Sequence, residues 1–117
     1  VNCFALPDLY AGKMHALLFR KWKNRVKGRD WFDFEWYVRR SVTLNLSHFA
    51  ERARQSGHWQ GEAMGREEFL AMLQDRIASL DIASARSDVL PFVREPAGLE
   101  IWSKDYFAQL AQRILFA

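Results

Sequence analysis

Lysine, arginine and aspartate side chains are set among aromatic residues in the first third of this 117-residue chain. Lys13 and Arg20 are seven residues apart, and Asp30 and Asp33 are three residues apart in a segment that contains Trp31. Charged groups in apolar surroundings are costly unless they are paired or put to use. Lysine and arginine bind phosphate oxygens, and carboxylates orient such cations or hold a metal-bound phosphate. These residue types indicate a site for a triphosphate or a polynucleotide.

The spacing places these groups on two neighbouring helices. At about 100° per residue, Lys13 and Arg20 nearly superpose on a largely apolar stripe of the first predicted helix. The opposite side of that helix is also apolar, so we expect it to be sandwiched between other elements. In the second helix, Asp30 and Asp33 share one arc that aromatic rings flank. The sequence therefore predicts a cationic, carboxylate-bearing surface formed by two helices.

Some of these charges also have a structural interpretation. An aspartate at a helix start, as Asp30 is expected to be, accepts backbone N–H groups and stabilises the helix by roughly 1 kcal/mol. Glu35 and Arg39, four residues apart on the far arc, are expected to form an ordinary solvent-facing pair. Lys13 and Asp33 are harder to explain in this way, because an idle charge on an apolar face is costly.

Charge is unevenly distributed along the chain. Residues 8–40 carry nine basic and four acidic side chains, a net charge of +5, whereas residues 41–117 carry a net charge of −2. This asymmetry indicates that the first third faces an anion such as a nucleotide, tRNA or DNA backbone. A solvated basic loop is the alternative for the turn between the two helices. The cations of this turn that we assign to nucleic acid are Lys21, Lys23, Arg25 and Lys27.

Several common kinds of site are not expected. His15, His48 and His58 have neither metal-ligand spacing nor a cysteine partner, so we expect no zinc site. No nucleophile elbow, P-loop or dinucleotide-binding glycine motif occurs in the sequence. No apolar run approaches the roughly 20 residues needed to cross a bilayer, and no leader opens the chain. With a single cysteine, Cys3, we expect a soluble, cytoplasmic protein that has no membrane partner.

Helical spacing of apolar residues dominates, and short hairpin signals are missing, so we expect an all-α fold of five or six helices in one small domain. At 50% hydrophobic content the chain can bury one core. We divide the domain 1–117 into a remnant strand or linker at 1–6, a basic two-helix site region at 7–40 and a helical tail at 41–117. The predicted helices cover about 7–22, 29–40, 46–55, 67–80, 82–90 and 104–115, with an extended link at 41–44. The predicted caps are Asn45 or Ser47 for the third helix, Asp81 for the fifth and Ser103 for the last.

The segment from Pro7 to Leu18, the Arg20 that follows, and the segment from Lys27 to Phe34 resemble the C-terminal half of the AbiEii/AbiGii toxin family of nucleotidyltransferases. The pattern of that family is a lysine-bearing helix, an Arg-Asp-x-x-Asp helix start and a helical tail. Residues 88–93 and 101–107 are similar to that tail. The resemblance covers most of the chain.

The resemblance implies transfer of a nucleotide from an NTP, with Mg²⁺, to an acceptor such as tRNA, by the toxin of a bacterial toxin–antitoxin or phage-defence pair. On this basis we assign Lys13, Asp30 and Asp33 as catalytic, and Lys13, Arg20 and Arg29 as nucleotide-binding. The N-terminal half of the family carries a Gly-Ser motif and the Asp-x-Asp metal carboxylates, and neither stands in this sequence. We therefore expect no metal ligands within this chain, a missing N-terminal half as partner, and no activity from the chain alone.

Two other functions fit the same residues. A non-catalytic nucleic-acid-binding domain would need only the basic segment and its tryptophans. A protein-contact module would use the aromatic surfaces to bind an antitoxin or the missing half. Polynucleotide binding should weaken steeply with salt, whereas an aromatic protein contact should not. Because the first two helices are apolar on more than one side, we also expect a homo-oligomer that covers this surface.

Overall fold

The structure is a computed structural model, and it describes residues 6–19, 28–61 and 63–116. These residues form six α-helices, two short 3-10 helices and one pair of two-residue strands, which confirms the all-α prediction. None of the described helices is both long enough and apolar enough for a membrane span. The elements are α1 (Leu6–Phe19), α2 (Gly28–Arg39), β1 (Thr43–Leu44), α3 (Leu46–Gln55), α4 (Arg66–Ala78), α5 (Ile82–Val89), α6 (Lys104–Gln112) and β2 (Leu115–Phe116), with 3-10 turns at Leu90–Phe92 and Pro96–Leu99.

Side-chain caps explain where three of the helices begin. Asn45, Asp81 and Ser103 each accept a hydrogen bond, at 3.0 to 3.1 Å, from the backbone N–H three residues further along the chain. Each bond satisfies one of the amides that the first turn of a helix leaves unpaired. The predicted starts of α5 and α6 are therefore confirmed, and of the two predicted caps of α3 the structure shows Asn45 and not Ser47.

Helix α1 is central to the described fold. It packs against α2 on one side and α3 on another, and it also contacts α4 and β1. Tyr10, Met14 and Leu17 of this helix are fully buried. The prediction that α1 is sandwiched between other elements is therefore confirmed. The bulkiest fully buried side chains of the described core are aromatic, namely Trp31, Trp102, Tyr10, Phe34, Phe49, Phe69 and Phe107.

The end of the chain differs from the prediction. Leu115 is not helical, because α6 ends at Gln112 and Leu115 pairs with Thr43 in a parallel contact between β1 and β2. The Phe116 ring meets the Phe69 ring edge to face, with the centroids 5.8 Å apart. Apolar spacing alone could not distinguish one more helical turn from this short strand. The extended link predicted at 41–44 is confirmed over Thr43–Leu44.

Glu35 is buried, so the prediction that it forms a solvent-facing pair with Arg39 is wrong. Its side chain is 6% exposed, and its carboxylate accepts a hydrogen bond from the hydroxyl group of Tyr106 on α6. The pKa of Tyr106 is raised to about 12. Burial of the hydroxyl group is the larger cause, and its bond to the Glu35 carboxylate is the next. The spacing of charges along one helix carries no information about a hydroxyl group that lies 71 residues away.

We expect Tyr106→Phe to lower the free energy of unfolding by about 1–3 kcal/mol, because the buried Glu35 carboxylate loses its hydroxyl donor. Chemical denaturation of the variant and the wild type measures the difference. Glu35→Gln is the companion variant and should cost less, because the amide oxygen can still accept the bond. Equal stability of Tyr106→Phe and wild type would show that the bond does not stabilise the fold.

Candidate functional site

A cleft of about 810 Å³ lies where α1, α2 and α3 meet. This volume is within the range of small-molecule sites in proteins. Helix α3 and the residues just after it add histidines and an arginine to the charged side chains of α1 and α2. The titratable side chains that line the cleft are Asp8, Lys13, His15, Arg29, Asp30, Asp33, His48, Arg52 and His58.

Lys13 and Asp33 form an ion pair at the cleft, with 3.0 Å between Nζ and Oδ2. The packing of α1 against α2 brings the two residues together. Their side chains are 50% and 36% exposed, so the expectation that apolar residues enclose these charges is wrong. Because both side chains reach solvent, these charges carry little cost of burial, and that cost is no argument that they have a function. An exposed pair contributes about 0–1 kcal/mol to stability, and both groups remain accessible to a ligand.

Two more of the predicted site residues, Arg29 and Asp30, lie in the first turn of α2. Asp30 is only 8% exposed, and it stands within the first turn because the helix begins at Gly28. A carboxylate there interacts favourably with the positive end of the helix. Arg29 is exposed and lines the same cleft. The structure thus brings these residues to one cleft with Lys13 and Asp33, and their roles stay predictions.

Several predicted residues lie outside the described part of the chain. Among them is Arg20, which we assigned to the nucleotide, and so is the predicted end of the first helix beyond Phe19. Cys3 and most of the predicted remnant strand lie there too. The cations assigned to nucleic acid that lie outside the described residues are Lys21, Lys23, Arg25 and Lys27.

A pair of histidines joined through a serine was missed by the sequence analysis. Nε2 of His15 lies 3.0 Å from Oγ of Ser56, and Nδ1 of His58 lies 2.7 Å from the same oxygen. The Ser56 hydroxyl group can donate to the carbonyl oxygen of Ala53 at 3.1 Å, and its oxygen can then accept from both rings. The sequence carries no signal for this group beyond the predicted end of α3, because His15 comes from a different helix.

The environment of His15 favours its neutral form. Burial is the main reason why its pKa is lowered, and the nearby charges of Arg52 and His58 lower it further. A neutral imidazole carries one donor and one acceptor nitrogen. His15 is thus a neutral ring bonded to Ser56 at the edge of the cleft, whereas Lys13 and Arg52 bring charge to it.

The basic side chains of the cleft fit phosphate better than a metal ion. Lys13, Arg29 and Arg52 can donate charge-assisted hydrogen bonds to phosphate oxygens. Within residues 6–19, 28–61 and 63–116, no group of three or more His, Cys, Asp or Glu side chains is placed to hold a metal ion. The described residues thus form a small helical domain whose cleft is lined by three cations and by three carboxylates, those of Asp8, Asp30 and Asp33.

Residues 1–113 match the family model of the nucleotidyl transferase AbiEii toxin of type IV toxin–antitoxin systems. The match spans nearly the whole chain, and the chain belongs to this family. The resemblance seen in the sequence is therefore confirmed. No curated protein and no solved structure matches the chain significantly.

Proposed function

We propose that this chain forms the nucleotide-facing helical part of a toxin nucleotidyltransferase that transfers a nucleotide from an NTP to tRNA. The observation that carries the proposal is the accessible ion pair between Lys13 and Asp33, 3.0 Å apart in the cleft. A lysine in this position can bind the oxygens of a triphosphate, and the adjacent carboxylate holds the ammonium group in place. Family membership supports the same substrate class.

Nucleotide transfer replaces a phosphoanhydride bond of the NTP with a bond to the acceptor oxygen, and pyrophosphate leaves. Negative charge on the phosphate oxygens must be stabilised while this happens. Lys13, Arg29 and Arg52 line the cleft and supply the positive charge. Asp33 keeps Lys13 oriented, so less reorganisation is needed during the reaction. Asp30 adds a second carboxylate to the same cleft.

Nucleotidyltransferases generally use Mg²⁺, which neutralises phosphate charge when it is bound. We place the ligands of that ion outside this chain, in the metal-binding half that the family resemblance implies. In this division residues 7–40 form the site region and residues 41–117 the helical tail. The tail also reaches the site, because His48 and Arg52 of α3 line the cleft.

The cellular setting follows from the same resemblance. We propose that the protein works in the bacterial cytoplasm, beside a cognate antitoxin, as one component of a phage-defence pair. Its charge distribution supports a nucleic-acid acceptor, because the net positive charge is confined to residues 8–40.

A transfer assay on the full-length protein tests this function. The protein is incubated with tRNA, Mg²⁺ and each α-labelled NTP in turn, and the label in the RNA is measured after gel separation. We expect incorporation from at least one NTP, and its loss when the Mg²⁺ is chelated. No incorporation from any NTP, into tRNA or any other acceptor, would contradict the proposal. Label in another acceptor alone would contradict the choice of tRNA.

A further inference from the structure

Helix α2 carries a second exposed face, beside the cleft. Phe32 and Trp36 are each 38% exposed, and Phe92 in the 3-10 turn after α5 is 73% exposed. Arg29, Phe32, Trp36 and Arg40 follow one another at steps of three, four and four residues, which places them on one side of the helix. We call this face the aromatic–arginine surface, and its members are Arg29, Phe32, Trp36, Arg39, Arg40 and Phe92.

Two arginines of the aromatic–arginine surface lie over exposed rings. The guanidinium carbon of Arg40 is 4.6 Å from the centre of the Trp36 ring, and that of Arg29 is 5.5 Å from the centre of the Phe92 ring. Such contacts stabilise a protein little at exposed positions. Arg29 also stands in the first turn of α2, where the helix dipole disfavours a cation. Stability of the fold therefore does not account for this arrangement.

A groove of about 370 Å³ runs along the same face. It is lined by Phe32, Trp36, Arg39 and Arg40. Two glutamates, Glu35 and Glu95, also border the groove, and Glu35 is buried against Tyr106 on α6. The groove thus combines flat aromatic rings with two arginines and two glutamates, of which Glu95 is exposed.

These groups suit a single-stranded nucleic acid. Bases stack on aromatic rings and on guanidinium planes, and arginines bind the phosphates between them. Arg29 and Arg40 are both exposed, and each lies over one of the exposed rings.

Arg29 joins this surface to the cleft. It lines the cleft together with Lys13 and Asp33, and it also lies over Phe92. A strand bound along α2 would therefore reach the cleft at Arg29, next to the ion pair.

We propose that the aromatic–arginine surface binds the single-stranded end of the acceptor nucleic acid and guides its terminal nucleotide past Arg29 into the cleft. This inference rests on the proposed transfer reaction, because it assigns a path to the acceptor of that reaction. It adds binding residues that lie outside the NTP site.

Binding of a labelled single-stranded oligouridine of about 12 nucleotides to the full-length protein, without NTP, tests the proposal by fluorescence anisotropy. We expect Trp36→Ala to weaken binding about tenfold, because the loss of one stacked base lowers the affinity by about that factor. Trp36→Phe keeps an aromatic ring and should retain most of the affinity. Arg40→Gln should weaken binding. It should also make the slope of log affinity against log salt concentration shallower by about 0.7, the value for one phosphate contact with a single strand.

Arg66→Gln is the matched control. The Arg66 guanidinium also lies over a ring, 5.2 Å from the centre of Phe116, but Arg66 is at the start of α4 and lines neither the cleft nor the groove. Its loss should leave oligouridine affinity unchanged.

Unchanged affinity of Trp36→Ala would overturn the proposal. So would a change from oligomer to monomer in Trp36→Ala without any loss of oligouridine affinity, because the surface would then be a contact between copies of this chain. Lys13→Ala separates the two proposals: it should retain oligouridine binding and lose transfer. If Lys13→Ala kept full transfer activity while Trp36→Ala lost oligouridine binding, the acceptor surface would stand and the NTP site would be wrong.

Discussion

Lys13→Ala is expected to lower nucleotide transfer by the full-length enzyme by about 100-fold or more, while the free energy of unfolding changes by less than about 1 kcal/mol. The Lys13 side chain is half exposed and paired with Asp33, so its removal costs the fold little. The reacting triphosphate, by contrast, loses a positioned positive charge. Steady-state kinetics gives kcat and KM, and chemical denaturation gives the stability.

Lys104→Ala is the control for the loss of an exposed lysine. Lys104 donates a hydrogen bond from Nζ to the carbonyl oxygen of Ala78 at 2.7 Å, and it does not line the cleft. Its replacement should leave transfer unchanged. Asp33→Asn should follow Lys13→Ala, because the ammonium group loses its charged partner. Near-normal transfer by both Lys13→Ala and Asp33→Asn would show that the ion pair is structural.

Gly28→Ala is expected to destabilise the protein by about 3 kcal/mol, the upper part of the usual range for overpacking. A Cβ atom at Gly28 would lie 2.1 Å from the carbonyl oxygen of Ala85 and 2.9 Å from its carbonyl carbon. Both are backbone atoms of α5, so α2 and α5 would have to move apart. In an ordinary helix the same change stabilises by roughly 0.5–1 kcal/mol, so the sign of the effect is diagnostic.

Gly98→Ala is the matched control, because an added Cβ there meets no described atom within 4 Å. Thermal or chemical denaturation should show little change for this variant. Gly28→Ala should also impair transfer, because α2 carries Arg29 and Asp33 to the cleft. A Gly28→Ala variant as stable as Gly98→Ala would show that α2 and α5 do not approach as closely as the structure has them.

The sequence predicts well those features that depend on neighbouring residues. The starts of three helices rest on single capping residues, Asn45, Asp81 and Ser103, whose hydrogen bonds reach only three positions along the chain. The general position of each helix follows from local apolar spacing in the same way. The all-α fold was therefore predictable without knowledge of tertiary contacts.

Contacts between distant residues could not be predicted in this way. The Tyr106 hydroxyl group reaches Glu35 from another helix, and His15 meets Ser56 only because α1 packs beside α3. The strand at Leu115 likewise depends on a partner near the middle of the chain. A single sequence shows apolar spacing and local charge pairs, but not which surfaces meet.

Four of the predicted site residues, Lys13, Arg29, Asp30 and Asp33, lie along one cleft, and their roles stay predictions. Lys13 and Asp33 were selected as charges on apolar faces, whereas the structure leaves both side chains accessible at the edge of the cleft. Helix spacing gives the direction of a side chain and not how far neighbouring helices cover it. The close approach of α5 to Gly28 has no signal in the sequence either.

Lysine acetylation of the full-length protein, with and without NTP, tests the nucleotide site most directly. Half of the Lys13 side chain is exposed, so the free enzyme should react there with acetic anhydride. We expect saturating NTP to slow acetylation of Lys13, because its ammonium group binds the phosphates, and to leave Lys104 on α6 unchanged. Equal acetylation of Lys13 with and without saturating NTP, in a protein that transfers nucleotide, would contradict the assignment of this cleft to the triphosphate.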